Sequence, residues 1–164
     1  MRGMTMERKT RLKANKALLL LSFLLYCSCD GLIFHSFLPV ASDGWNRSDT
    51  LAFVVEKGFA EDSVAMLSLE TRTKAMFPYR DIVVALELAD TAGAVLHKDT
   101  LVCAVYDGTG RRAGSTVGVI YQQSGEPVEL PLPYYENILR ITHLMPDTVL
   151  CGVADVGIRI VSKD

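Results

Sequence analysis

From Thr50 onward the apolar residues of this chain arrive in short runs, and the length of those runs constrains the fold more than any other feature. Thr50–Val55 is β-branched and aromatic, and Val64–Leu69 is apolar apart from Ser68. Ile82–Leu88 reads I-V-V-A-L-E-L, and Leu101–Tyr106 reads L-V-C-A-V-Y. Each run is strand-length and bounded by Gly, Pro, Asp or Thr. Near the end, Val153–Val161 sets Ile158 and Ile160 against Arg159 and Val161, the alternation of a strand with one buried face. Gly157 is expected there as a bulge or a close backbone approach. No segment sustains a helical stripe of ten residues. The pattern predicts an all-β chain packed as a single β-sandwich, of jelly-roll or immunoglobulin-like topology, rather than βαβ units.

Between the runs lie the turn signals. Asp30–Ser42 is a mostly apolar lead-in whose Pro39 limits ladder pairing, which fits a first edge strand. Ser42, Asp43 and Gly44 read as a turn before Trp45. Asn46, Arg47 and Ser48 form an N-x-S sequon that reads better as a polar turn. Gly58–Ser63 suggests one short turn, Thr91–Gly93 another, and Asp107–Ser115 is the longest loop. Gln122–Pro133 holds Gly125, Pro127, Pro131 and Pro133 and is not expected as a central strand. Glu136–Leu144 reads as either strand or helix.

The first 28 residues are a separate matter. Arg8, Lys9, Arg11, Lys13 and Lys16 precede a ten-residue apolar run, Ala17–Tyr26. A membrane span needs roughly 20 apolar residues to cross about 30 Å of hydrocarbon, so the run reads as a secretory signal. It ends in Leu25, Tyr26, Cys27, Ser28 and Cys29, and it resembles a bacterial lipoprotein signal in which Cys29 becomes the acylated first residue. An ordinary secretory peptide with incidental cysteines is the alternative. The expected organisation is a signal over 1–28, a lipidated N-terminus with tether or edge strand over 29–43, and the sandwich over 44–164.

Removing that signal changes the charge. The whole chain carries −2, but the first 28 residues hold six of its seventeen basic residues and one of its nineteen acidic ones. The remaining 136 residues carry about −7, enough for one domain and too acidic for a general attraction to nucleic acid. Membrane association is left to the lipid. Cys103 and Cys151 either pair in an oxidising envelope or serve as two small buried hydrophobes.

Catalytic and cofactor patterns are weak. Gly108, Gly110 and Ala113 form a G-x-G-x-x-A, yet Gly114–Gly118 after it is a poor helix start for holding a pyrophosphate. His35, His97 and His143 stand in no metal-binding spacing. No serine sits in a nucleophile elbow. Neither catalysis nor a cofactor or metal is expected. Trp45, Phe77, Tyr79, Tyr121, Tyr134 and Tyr135 either fill the core or form an aromatic platform; the adjacent Tyr134 and Tyr135 cannot both point inward from one strand.

Several stretches together resemble the gliding-motility-associated lipoproteins of Bacteroidetes called GldH. They are the signal, Gly44–Phe53, Leu67–Arg72, Phe77–Arg80, Asp99–Cys103, Gly110–Gly114 and Gly152–Ile160. Members commonly carry an aromatic residue where Arg112 stands, and often Gln where His143 stands. The resemblance implies an all-β domain held by lipid at the envelope, an accessory part of the gliding and associated secretion machinery. It brings no catalytic residue. The charged tract that accompanies surface export in these bacteria is absent after Asp30, which implies the periplasmic face of the outer membrane. Envelope proteins are the expected partners, with Trp45, Arg72, Tyr79, Arg112, Tyr134 and Asp155 as contact candidates and Arg72 and Asp155 as a potential pair. A glycan-binding module using Trp45 or Tyr134 as a stacking surface is the alternative.

Overall fold

The computed structural model describes residues 31–56, 64–131 and 136–163. Twelve strands follow one another without a helix among the described residues: β1 (Leu32–Pro39), β2 (Trp45–Asn46), β3 (Leu51–Val55), β4 (Val64–Lys74), β5 (Asp81–Asp90), β6 (Val95–Ala104), β7 (Ser115–Val117), β8 (Ile120–Ser124), β9 (Val128–Pro131), β10 (Asn137–His143), β11 (Val149–Leu150) and β12 (Val153–Ser162). The larger sheet runs β1-β12-β4-β8-β7, with β9 also paired to β4. The smaller sheet runs β3-β10-β5-β6, and β11 pairs β2 in a short third ladder. All pairings are antiparallel.

Alternation within the strands builds the core of this all-β sandwich. From the larger sheet, Leu67, Leu69, Val156, Ile158 and Ile160 are buried; from the smaller one, Phe53, Leu86, Leu88, Leu139 and Ile141 join them in one cluster. Burying an aliphatic side chain of this size contributes roughly 1.5–3 kcal/mol. The sandwich is drawn together at Gly125, between β8 and β9, where the amide bonds Leu69 O at 2.8 Å. A Cβ there would stand 2.5 Å from Val102 O on β6, so the close approach of the two backbones requires glycine.

Where strand bounds differ from the sequence pattern, polar residues are the cause. β4 continues five residues past Leu69 because Glu70–Lys74 pair with β8. β6 begins at Val95, through a polar stretch paired to β5, and stops at Ala104 rather than Tyr106. It stops because Val105 N and Tyr106 N both bond to Arg80 O, at 2.8 and 3.0 Å. Glu136–Leu144 resolves as β10. The exclusion of Gln122–Pro133 from a central strand needs correction: Gln122–Ser124 belong to β8, which lies between β4 and β7, while Pro127 precedes β9 and Pro131 ends it. The turn at Gly58–Ser63 lies outside the described residues. The compact unit starts at Gly31, ahead of residue 44, because Leu32–Pro39 pair with Asp155–Val161.

Gly157 on β12 is a close approach, while the bulge in this strand falls between Val153 and Asp155. A Cβ at Gly157 would meet the Phe37 ring of β1 at 2.6 Å. Gly157→Ala should therefore displace that ring and cost about 1–3 kcal/mol, the usual range for overpacking. Urea midpoints for wild type, Gly157→Ala, Phe37→Ala and the double variant test this. The alanine should be much cheaper when Phe37 is already absent, and an equal cost in both backgrounds would contradict the contact.

Candidate functional site

The outer face of the larger sheet carries a connected cluster that no single strand could build. Registers place Phe37, Gly157, Glu70 and Ser124 across β1, β12, β4 and β8, and place Pro39, Asp155, Arg72 and Gln122 in the neighbouring row. Gly157 leaves a gap between β1 and β4, and side chains from β1 cross it. His35 Nε2 reaches Glu70 Oε2 at 3.0 Å. Phe37 lies beneath the Arg72 guanidinium, 3.8 Å from ring centroid to Cζ. Gln122 donates from Nε2 to Glu70 Oε2 at 3.4 Å and accepts at Oε1 from Arg72 Nε at 3.1 Å.

Burial is graded across this cluster. Glu70 is 6% exposed, so its carboxylate depends on the partners from His35 and Gln122. Arg72 and Asp155 are only partly covered, and their closest atoms stand 3.8 Å apart. Such a pair contributes at most about 1 kcal/mol. Stacking on Phe37 adds a similar amount and holds the guanidinium plane in place. Beside it lies a cleft of ≈ 240 Å³ lined by Arg72, Ile120, Gln122 and Asp155. The chemistry on offer is recognition: an oriented guanidinium, an amide and a loosely paired carboxylate suit exchange of hydrogen bonds with an incoming polar chain.

Arg72 and Asp155 are thus brought together, while the other candidates scatter. Trp45 is buried at 1% exposure, donates to Asp49 O at 3.0 Å and stacks edge-on with His143. It offers no exposed stacking surface. Arg112 is a latch: Nη1 donates to Thr73 Oγ1 at 2.8 Å, and Nη2 donates to Lys74 O and Ala75 O at 2.7 and 2.5 Å. Its guanidinium also lies over the rings of Tyr106 and Tyr121. The half-buried Tyr79 packs on Phe77, and its hydrogen bond to Asp147, followed by burial, pushes the phenol above its ordinary pKa. Cys29, Tyr134 and Tyr135 lie outside the described residues.

Cys103 and Cys151 are both free, so the pairing alternative is not realised here. Cys103 is buried against Thr71 Oγ1 at 3.4 Å, and burial pushes its thiol up to about 11. Cys151 is exposed and sits against Asp43 O instead. The Gly108–Ala113 loop turns on Asp107, which accepts from the Thr109 hydroxyl and from the amides of Arg111 and Thr109. These bonds, the Thr109 hydroxyl first, hold its carboxyl below the usual range. A strand, β7, follows that loop rather than a helix, so no pyrophosphate site forms. Among the described residues, no group of three or more His, Cys, Asp or Glu side chains is placed to share a metal ion.

His35, Phe37, Glu70 and Gln122 were missed by sequence reasoning. A usable signal was present: Glu70 and Arg72 alternate with Thr71 and Thr73 at the end of an apolar run, and a small residue sits opposite an aromatic one across two strands.

The fold is an all-β sandwich that carries a polar cluster on the outer face of its larger sheet. Residues 32–160 match the family model described as GldH lipoprotein, and the chain belongs to that family. No curated protein matches it. Among solved structures, the VP2 subviral particle of infectious bursal disease virus aligns at 13% identity and a TM-score of 0.37. The alignment covers 79% of this chain and 30% of that one. The same virus's Gt strain aligns at 14% identity and a TM-score of 0.35, over 79% of this chain and 29% of that one. The chain thus spans about a third of those viral chains, and the superpositions are too loose to equate the two.

His143 gives a pH test. Its Nε2 donates to Trp45 O at 3.0 Å while Nδ1 is buried without a partner. Burial, reinforced by Arg47, lowers its pKa against weaker opposing contributions led by the bond to Trp45. The unfolded chain then binds more protons below about pH 6.5, so this residue's contribution is fullest above that pH and declines as the medium acidifies. His143→Gln should flatten the fall in urea midpoint between about pH 7 and pH 5. An unchanged slope would place the titrating group elsewhere.

Proposed function

We propose that the protein is a lipid-anchored accessory component of the gliding-motility and associated secretion machinery, acting through protein–protein contacts without catalysis. In this reading residues 1–28 are removed, Cys29 is acylated, and the sandwich works at the periplasmic face of the outer membrane. Membership of the GldH lipoprotein family supports the anchor and the setting. The observation that carries the mode of action is Arg72, whose guanidinium lies over the Phe37 ring and lines the cleft with Gln122 and Asp155. A half-buried guanidinium held over an aromatic ring loses little freedom on engaging a partner's carboxylate or carbonyl groups. Attachment to a surface raises the effective concentration of such partners, so weak contacts suffice.

Two measurements check this. Intact mass in a Bacteroidetes host should show an acylated chain beginning at Cys29, with the modification and membrane partitioning both lost in Cys29→Ser. A photo-crosslinking residue at Ile120, beside the cleft, should capture a defined envelope protein in that host. Arg72→Glu should lower that yield roughly tenfold, the effect of about 1.4 kcal/mol. Capture that ignores Arg72→Glu would move the contact off this face.

A further inference from the structure

Apart from Val102 on β6, Leu144 after β10 and Val149 on β11, the exposed large apolar residues lie at the strand ends, in two sets. One set lies where β1 begins. Leu32 pairs with Val161 at the end of β12, Val64 opens β4, and Val54 stands near the end of β3. Val95 and Leu96 follow the β5–β6 turn. Their exposures run from 39% to 48%, below the 90% and 83% of Met76 and Val119, so exposure alone does not choose an end. Between the edges of the two sheets, Ile33, Phe34, Val54, Val55 and Glu56 line a recess of ≈ 340 Å³ whose lining is of mixed polarity. Met76 and Val119 belong to turns at the other end, after β4 and before β8.

Chain length decides between the ends. Only three residue steps separate Cys29 from Leu32, a reach of at most about 10 Å. The polar layer on one side of a bilayer is roughly 5–8 Å thick. A diacylated Cys29 at the base of that layer therefore cannot leave the β1 end far out in solution. The described charges at this end are Glu56, Glu136, Asp90, whose carboxylate accepts from Ala94 N, and the Lys163–Glu129 and Lys98–Glu87 pairs. That balance is unsuited to an anionic surface.

We infer that the β1 end, through Leu32, Val54, Val64, Val95 and Leu96, is a membrane-docking surface that rests in the headgroup layer of a zwitterionic phospholipid leaflet. This rests on the Cys29 anchor proposed above and adds an orientation to it. The sandwich stands with its strands rising from the membrane, and the turns carrying Met76 and Val119 point away.

The test uses the full acylated protein in vesicles of phosphatidylcholine and phosphatidylethanolamine containing doxyl-labelled lipid. An environment-sensitive thiol probe is placed singly at Leu96→Cys, Val54→Cys, Met76→Cys or Val119→Cys in a Cys151→Ser background. Cys103 is buried and stays unlabelled. Leu96 is the extra residue where the β5–β6 register shifts, so it tolerates replacement, and the buried Trp45 reports folding of each unlabelled variant. Quenching at 96 and 54 should exceed that at 76 and 119 at least threefold. Equal quenching at both ends of acylated protein would overturn the docking surface while leaving the anchor intact. A wild-type chain that emerges from its host unacylated at Cys29 would overturn the anchor itself, and the orientation with it.

Discussion

The ladder between β12 and β4 is the interaction on which the rest of the structure depends. Val153–Ser162 lies along Ala65–Thr73 in the middle of the larger sheet, and β1 can join only through β12. The last strand of the chain is thus interior, paired on both sides. Closing it requires residues about ninety positions apart to meet, a loop-closure cost offset by the burial of Val156, Ile158 and Ile160 beside Leu67 and Leu69. Without that ladder, β1 has no partner and the outward cluster loses two of its contributing strands.

β4 makes different use of its two faces. Inward, its apolar run gives way to Thr71 and Thr73, whose hydroxyls both donate to Gln123 Oε1, at 3.3 and 3.2 Å. Arg112 closes that polar end of the core by bonding Thr73 from the long loop. Outward, Glu70 and Arg72 meet His35, Phe37, Gln122 and Asp155. The polar half of β4 is therefore specified twice, once by hydrogen bonds in the interior and once by the clamp across Gly157. Buried polar groups that find partners in only one arrangement fix register more firmly than apolar ones do.

Legibility in the sequence tracked this division. The apolar halves of strands were readable: Thr50–Val55, Ile82–Leu88 and Val153–Val161 each correspond to an observed strand because alternating or continuous apolar residues carry their own period. The polar extensions were not, since Glu70–Lys74 and the start of β6 become strands only when a neighbour supplies the ladder. The same limit applied to the site. Arg72 and Asp155 could be suggested as a pair, but His35 and Glu70 are 35 residues apart and meet only because Gly157 lets a side chain cross an intervening strand. Trp45 and Arg112 were drawn to attention by residue type alone, and burial and hydrogen bonding turned each into a structural element.

β1 joins the two functional ideas in one element. It follows Cys29 after a two-residue link and, six and eight positions beyond that cysteine, supplies His35 and Phe37 to the outward cluster. A pull directed along β1 would load the hydrogen bonds of the β1–β12 ladder together rather than one after another. The clamp adds resistance from the side: sliding β1 would draw Phe37 out of the space above Gly157 and remove His35 from Glu70. An edge strand is ordinarily the easiest element of a sheet to detach. Here its side chains grip the second strand inward, so the geometry around Arg72 is maintained by the same contacts that hold this edge strand in place.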